Sequence, residues 1–270
     1  MITLNSDKRM LGFASFEACP NISHFVTTRL GGVSTGSYGS FNCSPFTHDT
    51  PEHIQANTAL LLESMRQKPQ ELIIPHQTHQ TEIVTVDRAF LALSADARRD
   101  RLEGVDALTT DEPGCCIAVS TADCIPVMLY DAQHQAVAVA HAGWRGTVSS
   151  IVAKTIGRMQ RCYHTDASSL MACIGPGISL PSFEVGDEVY AAFRDAGFPM
   201  HQVSVRHEDT GKWHIDLWEA NRWQLLQAGV PASQIELSGI CTYQHPDLLF
   251  SARRLGIDSG RILSGIMLNK

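Results

Sequence analysis

The sequence predicts a single α/β domain. Short runs rich in β-branched and apolar residues recur along the whole length, capped helical stretches lie between some of them, and their order is too irregular for a simple βαβ alternation. With 270 residues, 44% of them hydrophobic and 18% charged, the chain can bury a sizeable core and has a globular composition. No low-complexity segment, repeat or long linker divides it, so residues 1–270 are expected to form one domain.

Strand patterns occupy His24–Thr28, Glu71–Ile74, Glu82–Val86, Cys115–Val119, Ile125–Tyr130, Ala136–Ala140, Leu170–Ile174, Gln234–Gly239 and Arg261–Leu268. Thr50 before Pro51 has the form of an N-cap with proline in the first turn, and opens a helix to about Gln67. A second helix starts at Thr147 or Ser149, with Ile151, Val152, Ile156 and Met159 at helical spacing. Glu184–Ala196 reads as a third, stopping near Gly197. Asp216-Leu-Trp-Glu219 resembles a capping box, and its helix ends at Gly229. The polar stretch Ser94–Glu103 reads as an exposed excursion, and Ile174-Gly-Pro-Gly-Ile178 as a rigid turn.

A net charge of −7 argues against nucleic acid as a partner, which needs clustered Lys and Arg, although a few arginines in a pocket still suit a small anion. No apolar run reaches the length of a membrane span, and Met1 to Arg9 lacks an apolar signal core. A cytoplasmic protein is therefore expected, with no membrane partner and with a monomer favoured. Its 8 cysteines are irregularly spaced and read as reduced thiols; Cys115, Cys116 and Cys173 lie in apolar runs and read as packing residues.

Cys124 stands apart, because Asp123 precedes it and Pro126 follows at +2. His141 ends an alternating Ala/Val run just before Gly143, and His79 sits between two strand patterns. Each alone reads as an ordinary packed or hydrogen-bonded side chain. Together they are a thiolate and two imidazoles at strand ends, a set that suits zinc or copper and leaves a coordination position open. A zinc there would lower the pKa of a water or polarise a substrate oxygen. The same residues also fit Cys124 as nucleophile with His141 as its base. Arg145 before a helix, and Arg29 and Ser34 around Gly31-Gly32, are candidates for binding an oxyanion, and Asp123 is a candidate proton donor. Trp144 reads as a core residue sooner than as a cover for an aromatic base.

Several segments resemble one family in its order: Thr28-Arg-x-Gly-Gly-Val-Ser34, Gln77-x-His79, Thr121-Ala-Asp-Cys-Ile-Pro-Val127, His141-Ala-Gly-Trp-Arg-Gly146, Ile174-Gly-Pro176, Phe183-Glu-Val-Gly186, Asp216-Leu-x-x-Ala-Asn221, Cys241-Thr242 and Phe250-Ser-x-Arg-Arg254. This is the YfiH-like group, also called the multicopper polyphenol oxidase or laccase-domain family. The resemblance covers nearly the whole chain. It implies one α/β domain with β-sheets sandwiched between helical layers, and a zinc site at His79, Cys124 and His141. It implies phosphorolysis of adenosine, inosine, guanosine and methylthioadenosine, with adenosine deaminase activity beside it. The segments Phe41–Phe46, Leu180–Ser182 and Ser251-Ala252 depart from the family pattern and bear on substrate preference.

Three enzyme readings follow. In zinc-dependent purine nucleoside phosphorolysis, Arg29, Ser34 and Arg145 would hold phosphate while the metal orients an oxygen. A cell-wall amidase would use the same ligands or a Cys124 nucleophile. Copper-dependent phenol oxidation is disfavoured, since 12 histidines include no His-x-His pair and three donors cannot hold several coppers. A pure binding module ranks last.

Overall fold

Twelve of the fifteen strands fall into two six-stranded sheets that stack face to face between helices, as a computed structural model of residues 1–270 shows. The first sheet runs Ile2–Thr3, Met10–Gly12, Ile22–Thr27, Ile262–Leu268, Cys115–Thr121 and Glu71–Ile73 in spatial order. The second runs Ile235–Leu237, Met171–Ile174, Ile125–Asp131, Ala136–Ala142, Val105–Thr110 and Glu82–Thr85. Glu184–Val185, Trp213–Ile215 and Ser204–Arg206 form a small third sheet. The two main sheets are mixed, because Glu71–Ile73, Glu82–Thr85 and Ile235–Leu237 pair in parallel and the rest antiparallel.

Side-chain alternation explains the layers, since successive residues of a strand point to opposite faces. Ile117 and Val119 of the first sheet meet Met128, Tyr130, Val137 and Val139 of the second in a core between the sheets. Their neighbours Cys116 and Ala118 face outward onto Leu61 of helix Pro51–Ser64. On the far side, Ala136, Ala138, Ala140 and Ala142 make a row of small side chains. Helix Ile151–Tyr163 presses Ile151, Val152, Ile156 and Met159 into the same core, the periodic set the sequence predicts. Helix Leu217–Gln227 joins this layer, with Asp216 accepting from the Glu219 N–H as its cap. The layer order is helix, sheet, sheet, helix, as expected from the resemblance. No helix is long and apolar enough to cross a membrane, and all eight cysteines are free.

Several boundaries differ from the sequence reading. Ser94–Glu103 holds a helix, Ala95–Arg101, capped by the Ser94 hydroxyl; none of its residues is buried, so no apolar stripe announced it. Glu184–Val185 is a strand, and the helix expected from Glu184 begins at Asp187 after Gly186. Helix Pro51–Ser64 ends before Gln67. The helix expected from Thr147 or Ser149 is two, Trp144–Val148 and Ile151–Tyr163, divided by Ser150 at φ 63°. The strand Val105–Thr110 escaped notice because Asp106 breaks its apolar pattern, yet every residue of it is buried.

His24 lies in the first sheet, where its Nε2 accepts the Phe13 N–H at 2.7 Å; its Nδ1 makes no hydrogen bond and lies 3.7 Å from Glu17 Oε1. Burial, opposed by the charge of Glu236, lowers its pKa to about 4. The folded state thus holds this ring neutral where an unfolded chain, with the ordinary value near 6.5, already binds a proton. The contribution is complete above pH 6.5 and is lost as pH falls toward 4, about 3 kcal/mol over that window. Urea denaturation at pH 7 and pH 4.5 should show this loss in the wild type and a smaller loss in His24→Gln; equal losses would assign the acid sensitivity elsewhere.

Candidate metal centre

His79, Cys124 and His141 meet at one end of the double sheet, and the strand directions explain why. Glu71–Ile73 lies parallel to Cys115–Thr121, so both leave the first sheet at the same end and cross to the second. The first crossing carries His79 and the second carries Cys124. Ile125–Asp131, which begins after Cys124, pairs antiparallel with Ala136–Ala142, and Pro126 lies opposite His141. Their ligand atoms lie within 4.8 Å of one another. The two imidazole rings are nearly perpendicular, at 74° with centroids 4.8 Å apart. His141 is buried, Cys124 half-buried and His79 exposed. They line a cavity of about 170 Å³ together with Ser44, Gln77, Thr121 and Arg261.

The backbone is held in uncommon conformations to achieve this. His79 has φ 63° and Asp123 has φ 88°, values that non-glycine residues rarely adopt unless their surroundings hold them there. The Asp106 carboxylate supplies that hold for the first crossing. It accepts the N–H groups of Thr78 (3.4 Å), His79 (3.0 Å) and Gln80 (2.7 Å), and also the His141 Nδ1–H at 2.7 Å. Asp123 holds the second crossing: its carboxylate accepts from the Thr242 hydroxyl at 2.6 Å and the Arg253 N–H at 2.7 Å. Gly143 is required by close approach, because a Cβ there would stand 2.9 Å from Cys124 Sγ and 3.1 Å from His79 Cδ2. Behind Cys124 the Gly175-Pro-Gly177 turn packs on Pro126 and Ile125, an architectural role as its sequence suggests.

Electrostatics prepare the thiol. Burial would raise the Cys124 pKa, but the His141 charge and hydrogen bonds from His141 and His79 overcome it and bring it down to about 6. Burial would likewise lower that of His141, and Cys124 and Asp106 overcome it and raise it to about 9. Asp106 is itself held below the carboxylate range: burial opposes ionisation, and the His141 hydrogen bond and charge outweigh it. Carboxylate, imidazole and thiolate form one chain of charge.

This donor set suits a single soft or borderline cation. Asp106 fixes the His141 tautomer so that Nε2 is free to ligate, the usual outer partner of a ligating histidine. A cation held by these three side chains would keep one coordination position facing the cavity.

The other sequence candidates lie elsewhere. Arg29 donates to the Gly39 and Pro246 carbonyls and lies over the Phe250 ring, and Ser34 donates to Asp49. Arg145 is exposed over Trp144, and the helix at Gly143 is a five-residue turn; none of the three lines the cavity. Asp123, expected as a proton donor, has both oxygens engaged as acceptors. Trp144 packs against the helix-side core, as expected. The arginine that does line the cavity, Arg261, and the buried, unpartnered Thr121 hydroxyl went unremarked in the sequence. Asp106 was missed too, and its signal was a lone acid inside a run otherwise fit for burial.

Known proteins align with this chain over nearly its full length. Residues 23–269 match the family described as "Multi-copper polyphenol oxidoreductase laccase". A protein of Bacteroides thetaiotaomicron named "Purine nucleoside phosphorylase" is 57% identical over 270 residues, 100% of each chain. "Adenosine deaminase RL5", from an unknown prokaryotic organism, is 41% identical over 245 residues, 91% of this chain and 93% of its own. The crystal structure of YlmD from Geobacillus stearothermophilus superposes with TM-score 0.86 at 32% identity, covering 96% of this chain and 95% of that one. That of the Bacillus licheniformis hypothetical protein YfiH gives TM-score 0.89 at 29% identity over 98% of each.

Two outcomes are expected from the geometry. Asp106→Asn should weaken zinc binding by about tenfold to a hundredfold in competition with a chromogenic chelator, and an unchanged affinity would reduce Asp106 to a scaffold group. In metal-stripped protein, Cys124 should be alkylated by iodoacetamide at a rate that falls only below about pH 6, since its folded value is depressed to there. A rate that already halves near the ordinary thiol value of about 8.5 would contradict the charge chain.

Proposed function

The chain belongs to the multi-copper polyphenol oxidoreductase laccase family, and we propose that it acts there as a zinc-dependent purine nucleoside phosphorylase. The observation that carries the reading is the three-donor cluster opening on a polar cavity with one arginine. Residues 1–270 would act as one catalytic domain on adenosine, inosine, guanosine or S-methyl-5′-thioadenosine with phosphate, giving base and ribose 1-phosphate. Eight free cysteines support placing it in a reducing compartment, the cytoplasm.

His79, Cys124 and His141 would hold the zinc, which supplies Lewis-acid polarisation of a substrate oxygen when bound. Arg261 is the cation in the cavity, and its guanidinium donates to the Ser259, Gly260 and Ile257 carbonyls, which fix its position. With the Thr121 hydroxyl it would bind phosphate, the task the sequence reading assigned to Arg29, Ser34 and Arg145. Gln77 accepts from the Ser120 N–H at 2.8 Å and donates to its carbonyl at 2.9 Å, which stiffens the wall beside them. A phosphate oxygen then forms a bond to the anomeric carbon as the carbon–nitrogen bond breaks. The base leaves with the bonding pair and takes up a proton.

A second reading, adenosine deamination in the same cavity, is favoured by the likeness to adenosine deaminase RL5. Three donors for a single ion support zinc over a multi-copper centre, and copper in place of zinc is a matter of loading.

Zinc-loaded protein given inosine and phosphate should release hypoxanthine and ribose 1-phosphate in equal amounts. Cys124→Ala should remove the activity, and Arg261→Lys should raise the phosphate KM at least about tenfold through loss of a bidentate contact. Base release without ribose 1-phosphate would reject phosphorolysis.

A further inference from the structure

The cavity beside the metal ligands is too small for the proposed reaction. Its volume of about 170 Å³ falls below the roughly 300–1,000 Å³ usual for small-molecule sites. A nucleoside with phosphate must extend out of it. A second cavity of about 710 Å³ adjoins it, and the two share Phe46 and His76 as a common wall.

That second cavity has the chemistry of a slot for a flat apolar-faced ring. Phe46 lies against His76 with ring centroids 4.8 Å apart and planes tilted by 31°. Ile74, Leu93, Ala95 and Leu102 complete the apolar lining, and Arg98, Arg99 and Glu103 make up the rest of the wall. The distribution of exposed apolar side chains is the second observation. Seven large hydrophobics are exposed on the whole molecule, and three of them rim this continuous depression: Phe46 at 44%, Leu93 at 36% and Ile257 at 73%. Exposed apolar side chains gathered at a cavity mark a binding site, whereas scattered ones are ordinary. A polar handle is present as well. His76 Nδ1–H donates to Glu103 at 2.7 Å, and its backbone is bonded to Leu102 and Gly104, so the ring is fixed with Nε2 left as an acceptor.

We propose that the Phe46–His76 pair is the platform on which the purine base stacks, with His76 Nε2 accepting from a base N–H and the sugar directed into the metal-lined cavity. The inference rests on the nucleoside reading above and adds where the base lies.

The test runs the reaction in reverse, from hypoxanthine and ribose 1-phosphate, with wild type, Phe46→Ala and Phe46→Tyr, alongside calorimetric titration of each protein with free hypoxanthine. Phe46 is a surface side chain, and unchanged thermal melting verifies the fold of each variant. Phe46→Ala should raise the KM for the base and its dissociation constant about tenfold, as loss of one aromatic stack does. It should leave the KM for ribose 1-phosphate unchanged, and Phe46→Tyr should restore the wild-type values. A rise in the ribose 1-phosphate KM instead would put the sugar end in this slot and overturn the proposal, as would no change in either. Base binding that depends on Phe46 in a wild type that forms no nucleoside would keep the slot and reject phosphorolysis.

Discussion

One buried carboxylate organises the functional end of this molecule. Asp106 is fully enclosed, and an ionised group there is tolerable only because four donors converge on it. Those donors belong to two different parts of the chain. Three are backbone N–H groups of the crossing that carries His79, and the fourth is the ring of His141. The same oxygens that satisfy the loop also orient the imidazole, so the position of one ligand is mechanically tied to the orientation of another. Neutralising Asp106 would loosen both at once.

The layered architecture serves this arrangement. Two stacked sheets give an end face where crossings between sheets lie side by side, and the parallel pairing of Glu71–Ile73 with Cys115–Thr121 puts both crossings on the same face. Strand interiors are filled with Val, Ile, Met and Ala and contribute rigidity without chemistry. The reactive groups sit at strand ends, where chain direction and not packing decides which side chains meet. Positive φ at His79 and Asp123 is the local strain of this placement, and each site of strain has its own carboxylate anchor.

Much of this was legible in the sequence and some was not. The helix Ile151–Tyr163 announced itself because its burial is periodic, and the strands around Cys124 and His141 because they are short apolar runs buried on both faces. His79, Cys124 and His141 were legible as a set of soft side chains at strand ends, although only the fold brings them within reach of one another. Asp106 was hidden for the opposite reason. An acid in a β-type run looks like an interruption, and its compensation comes from backbone N–H groups, which leave no trace in side-chain identity. Arg29 and Ser34 were ambiguous in the sequence, because a Gly-Gly turn flanked by polar residues looks the same whether those residues face a ligand or fasten the chain. Here they fasten it, to Gly39, Pro246 and Asp49. Arg261 begins a strand pattern and gave no sign that its guanidinium turns back toward the thiol.

The placement of His79, Cys124 and His141 within one sheet has a consequence for how their cluster comes together. Cys124 and His141 flank one hairpin, Ile125–Asp131 with Ala136–Ala142, and are neighbours as soon as that hairpin forms. His79 leads into Glu82–Thr85 of the same sheet and joins them when that strand pairs with Val105–Thr110, whose Asp106 takes up its N–H. The hairpin alone thus brings two soft side chains together, and the third arrives through long-range pairing within the sheet. The cluster exists only where that sheet is complete, unlike a Cys-x-x-Cys pair, whose side chains are neighbours along the chain.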